Sequence, residues 1–68
     1  MRNKFFAIYD GTNDVLVFDS ADERDEFVLF ESLVHPNCKA VGFDGVKDLI
    51  AGKTPVFDSS FGCLAILN

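Results

Sequence analysis

Sixty-eight residues with eleven acids, six bases and a net charge of −5 make a single domain, 1–68, with no room for a second one or for a large cleft under a lid. The acidic balance, with a sequence pI near 4.4, argues against conventional nucleic-acid or anionic-membrane binding, both of which need a basic surface. A chain this short buries only about 60% of its unfolded surface, so its stability margin is narrow. Eight phenylalanines offset part of that deficit with large apolar rings.

The charge is concentrated. Eight acids (Asp10, Asp14, Asp19, Asp22, Glu23, Asp25, Glu26 and Glu31) fall between Asp10 and Glu31 with one base, Arg24, so that window carries −7. The other three acids and five bases carry +2. The start, Met1-Arg2-Asn3-Lys4, is not expected to act as a secretory signal, and no apolar run approaches the roughly 18 residues of a membrane span. Cys38 and Cys63 are expected as free thiols of a cytoplasmic chain.

In chain order, Lys4–Tyr9 (KFFAIY) reads as a strand that is apolar on both faces, with Phe6 and Ile8 opposite Phe5, Ala7 and Tyr9. It is therefore central, or covered on its second face. Asp10-Gly11-Thr12-Asn13 is turn chemistry, and Val15–Phe18 returns as the second strand of a hairpin. Ser20 followed by Glu23 is a capping box that opens an acidic helix running to Val34. At about 100° per residue, Phe27, Phe30 and Val34 form the expected core stripe, with Leu33 at its margin. Asp22, Asp25 and Glu26 fall on another arc, with Leu29 among them.

Pro36 closes that helix. Lys39–Phe43 reads as a third strand, and Asp44 as the N-cap of a second helix from Gly45 or Val46 to Ala51, with Val46, Leu49 and Ile50 inward. Gly52 suits the position just past its end. A brief strand over Pro55–Phe57, a turn at Asp58-Ser59-Ser60 and a buried strand over Cys63–Leu67 complete the chain. The expectation is an α+β fold: a small two-layer sandwich with a mostly antiparallel sheet of about four strands and two helices on one face, in the order β-β-α-β-α-β.

The candidate chemistry is thin. Asp10–Asp14 alternates oxygens like a calcium loop, but the twelfth position is Ala21 rather than a bidentate glutamate. His35, Cys38 and Cys63 fall short of the two close ligand pairs of a structural zinc site, and Cys63 reads as a buried small hydrophobe. The acids Asp22 and Glu23 favour the helix dipole, whereas Asp22 with Asp25 and Glu26 costs roughly 0.2–0.5 kcal/mol per like-charge pair. Carboxylates so spaced, with Asp14 and Asp19 near the same end, imitate a short row of phosphates.

The order KFFAIYDG, VLVFDSADERDEFV and then KAVGF before a short helix loosely resembles the N-terminal hybrid-binding domain of ribonuclease H proteins over Lys4–Gly52. That family's nucleic-acid surface is basic and aromatic; here the corresponding helix is acidic and tryptophan is absent, so nucleic-acid binding is not carried over. In size and charge the chain also looks like the small acidic phage and mobile-element inhibitors, including anti-CRISPR proteins that act as DNA mimics.

The sequence expectation is a non-enzymatic interaction protein without cofactor or metal. It binds a basic surface on a protein partner, such as a nucleic-acid-binding complex, through Asp14, Asp19, Asp22, Asp25, Glu26 and Leu29, with no direct nucleic-acid or membrane contact. Two alternatives stand beside it. One is a self-associating accessory domain, a homodimer completed across Phe5, Tyr9 and the CLAIL strand; the other is a small thiol-dependent enzyme or sensor using Cys38 or Cys63.

Overall fold

A computed structural model describes residues 3–53, 56–58 and 63–66, with Phe57, Asp58 and 63–66 defined by their backbone pairing. The elements are β1 (Phe5–Tyr9), β2 (Val15–Phe18), α1 (Ala21–Glu31), β3 (Cys38–Val41), a 3-10 turn (Phe43–Gly45), α2 (Lys47–Ile50), β4 (Val56–Asp58) and β5 (Cys63–Ile66). The α+β class and the antiparallel sheet hold. The sheet has five strands rather than about four, because the short segment after Pro55 pairs with β5 as an edge strand. The strand order is β3-β1-β2-β5-β4, and every pairing is antiparallel.

The β1–β2 hairpin needs one glycine in the left-handed region. Gly11 has φ 91°, and both the amide and the hydroxyl of Thr12 donate to the Tyr9 carbonyl (3.0 and 2.7 Å). Asn37 ties this turn to the start of β3: its carbonyl accepts from the Asp10 amide and its side-chain amide donates to the Asp10 carbonyl. In register, Phe6 faces Val17 and Ile8 faces Val15, so the period-2 alternation puts these four residues on one face of the sheet.

The two helices do not share a face. Phe6, Val15 and Val17 pack with Val46 and Ile50, bordered by Ile8, Val41, Phe43 and Leu49, so the 3-10 turn and α2 cover one side. Ala7, Leu16 and Phe18 pack with Phe5, Tyr9, Phe27 and Val28, so α1 covers the other. The architecture is three layers instead of two. The doubly apolar β1 foreshadows this arrangement, and β2 requires it: all four of its residues are buried.

Local boundaries shift for local reasons. Helix α1 ends at Glu31 rather than Val34, where the Ser32 hydroxyl donates to the Leu29 carbonyl and the chain tightens into i→i+3 bonds at Leu33 and Val34. Asp44 lies inside the 3-10 turn and does not cap α2, whose first flanking residue is Val46, without a side-chain cap bond. Val46, Leu49 and Ile50 do turn inward, and Gly52 follows the helix end with φ 73°. The CLAIL side chains and the Asp58-Ser59-Ser60 turn lie outside the described residues.

Truncating either face should be equally damaging if both layers are structural. Phe6→Ala and Phe18→Ala are each expected to cost about 3–5 kcal/mol in urea denaturation, while Phe30→Ala on the exterior of α1 should change stability by no more than about 0.5 kcal/mol. A cheap substitution at either buried ring would mean that its layer is not built as described.

Candidate interaction surface on the first helix

Helix α1 begins where Asp19-Ser20 turns the chain from β2. Ser20 is extended (φ −135°, ψ 153°) and its hydroxyl oxygen accepts from the Glu23 amide at 3.1 Å, the hydroxyl half of the expected capping box. From there the inward line is Arg24, Phe27, Val28 and Glu31, spaced i, i+3, i+4, i+7. Phe27 tilts against Phe18 with ring centroids 5.3 Å apart. The Arg24 guanidinium lies 5.6 Å from the Phe5 ring centroid, and Tyr9 donates its hydroxyl proton to Glu31 Oε1 at 2.9 Å. The helix is thus fastened at both ends by a polar group meeting an aromatic one.

This anchoring rotates the helix by roughly a quarter turn from the stripe that hydrophobicity predicts. Phe27 faces the core as expected. Phe30 and Val34 do not: they are 61% and 72% exposed, as are Leu29 and Leu33 at 64% and 78%. The same outward side carries Asp22, Glu23, Asp25 and Glu26, all exposed. Its first half is therefore carboxylate and its second half apolar.

Of the six residues expected at a partner contact, the structure gathers five. Asp19, at the helix entry, pairs with Lys4; Asp25 accepts from Arg24 Nε at 3.0 Å; Asp22, Glu26 and Leu29 lie on the outward arc. Asp14 stands apart. It precedes β2 while Asp19 follows it, so the length of the strand separates them, and the Asp14 charge acts on Tyr9 at the opposite end. The row of carboxylates loses that member because an extended strand carries its two flanking residues far apart. Sequence reasoning had no means to see Phe30, Leu33 and Val34 as surface; only the positions of Phe5 and Tyr9 on the sheet reveal it.

At the far end of the helix, four titratable side chains meet. His35 Nε2 lies 3.6 Å from Glu31 Oε1, and its ring meets Tyr9 edge-on at 5.9 Å. Burial first, then the hydrogen bond to Glu31 and its charge, push the Tyr9 phenol well above its usual range. Cys38, buried beside them, is also pushed up, by burial and then by Glu31. A thiol held in its neutral form is the reverse of what a thiolate nucleophile requires. Among the described residues no three His, Cys, Asp or Glu side chains form a metal-ligand group, and no helix is long and apolar enough to cross a membrane.

No protein-family model matches the chain, and no curated protein or solved structure is significantly similar to it. The resemblance of Lys4–Gly52 to the ribonuclease H hybrid-binding domain has no family match behind it.

Burial of Tyr9 and its bond to Glu31 together set a pH dependence. The folded state favours the neutral phenol, so the stability this contributes is complete below the unfolded pKa near 10 and falls as the pH rises from there toward the higher folded value. Tyr9→Phe is expected to cost about 1 kcal/mol at pH 7 and to flatten the decline above about pH 10 in denaturation curves. An unchanged alkaline limb in the variant would show that another group sets it.

Proposed function

We propose that this chain is a non-enzymatic interaction module that occupies a basic surface of a protein partner with the outward side of α1. The observation that carries the reading is an excess of exposed carboxylates on the helix. Arg24, the one base between Asp10 and Glu31, lies with its side chain 20% exposed against Phe5 and pairs with Asp25, while Asp22, Glu23 and Glu26 stay at the surface beyond its reach. Such a face attracts cationic groups at long range and speeds encounter with a basic partner. Nucleic-acid-binding complexes are the partner class that presents such basic surfaces, and blocking one is the activity this module would have, in the manner of a phage or mobile-element inhibitor. The contact set is Asp19, Asp22, Asp25, Glu26 and Leu29, with Asp14 outside it.

The test compares wild type with Asp22→Lys/Asp25→Lys/Glu26→Lys in pull-downs from the host lysate at low and high salt. A basic protein held by wild type, released by salt and lost in the variant is the expected result, with the variant's fold verified by its urea midpoint. Equal recovery by both proteins would remove the acidic face from the contact.

A further inference from the structure

Four of the five exposed large hydrophobics among the described residues (Leu29, Phe30, Leu33 and Val34) lie together on the outer side of α1 and of the turn that extends it. Single exposed apolar residues are ordinary, but four within six consecutive positions are the kind of concentration that marks a contact site. The patch continues directly into the carboxylates of the first two helical turns, and no base lies on that side. Along the helix axis, the face therefore reads acidic and then apolar.

We infer that this face binds an amphipathic helical segment of a partner, lying antiparallel to α1, with an apolar N-terminal half and a Lys/Arg-rich C-terminal half. This rests on the proposed function and deepens it by naming the element that is bound. Matching the two halves sets apolar residues of the ligand against Leu29, Phe30, Leu33 and Val34, and its cations against Asp22, Asp25 and Glu26. The helix dipoles select the antiparallel direction, which has carboxylates at the N-terminal turns of α1 and bases at the C-terminal turns of the ligand.

A second copy of the chain fits less well. Antiparallel pairing along the whole helix buries carboxylates of one copy against leucine of the other, and parallel pairing stacks carboxylate on carboxylate. Contact through the apolar end alone covers four side chains, well short of the roughly 800 Å² per partner of a standard interface. An anionic membrane is opposed by the same acids.

The probes are two synthetic 16-residue helical peptides of one composition, one ordered apolar then Lys/Arg and the other with the halves exchanged, titrated into the full-length protein by calorimetry. The expected result is binding of the first peptide at least about tenfold tighter than the second. Leu29→Ala/Leu33→Ala should then weaken it about tenfold or more, while the urea midpoint stays put because both positions are exposed. Equal binding of the two peptides overturns the directional arrangement, and no binding of either overturns the helical ligand. If Asp22→Lys/Asp25→Lys/Glu26→Lys abolishes binding and the leucine variant leaves it intact, the acidic-face reading stands and this inference falls. Weakening by the leucine variant alone removes the acidic-face reading instead. Dimerisation of the protein at the titration concentration, seen by sedimentation and lost in the leucine variant, would assign the patch to a second copy.

Discussion

The structure depends on the burial of β2. Val15, Leu16, Val17 and Phe18 form the middle strand of five, and all four are buried. A strand apolar on both faces cannot leave one of them to water, so each face of the sheet must receive its own cover. The 3-10 turn and α2 take the Val15/Val17 face and α1 takes the Leu16/Phe18 face. In a chain of 68 residues this divides the helical material into two thin layers. Among the described residues, neither helix has a further layer outside it, and the outer side of α1 is exposed.

The manner in which α1 is held explains what that exposed side contains. Its inner line mixes Phe27 and Val28 with Arg24 and Glu31, whose heads meet Phe5 and Tyr9. A cation over an aromatic ring contributes about 0.5–1 kcal/mol at a partly exposed site, and a hydrogen bond about 1 kcal/mol. Those terms are modest beside full burial of a phenylalanine or leucine. The rotation is nonetheless coherent, because it sets Phe27 on Phe18 and lets Arg24 reach the Phe5 ring and Glu31 the Tyr9 hydroxyl at once. The apolar residues left outside then lie next to the carboxylates of the first turns, of which Asp25 pairs with Arg24. Charge and apolar surface that would be unrelated on an extended chain become one face.

The opposite end of α1 has a different chemistry. Tyr9, Glu31, His35 and Cys38 come together where β1, the helix end and β3 meet. Both Tyr9 and Cys38 are held in their neutral forms, with burial as the leading cause. Burial and the neighbouring carboxylate both disfavour the charged forms of these two weak acids.

The sequence by itself determined the antiparallel α+β class, the hairpin over Gly11, the Ser20 start of α1 and the inward set Val46, Leu49 and Ile50. Each rests on local rules of turn geometry, capping and periodicity, which act over a few residues. It also determined the excess of acids in the window Asp10–Glu31. Only the tertiary structure decided that the helices take opposite faces, that β4 joins the sheet, that Asp14 stands away from the other acids, and that Phe30, Leu33 and Val34 face outward. Those outcomes turn on which groups wait across the gap. Hydrophobic periodicity scores Arg24 and Glu31 as surface residues; Phe5 and Tyr9, placed on the sheet by long-range pairing, make them the inner face of the helix.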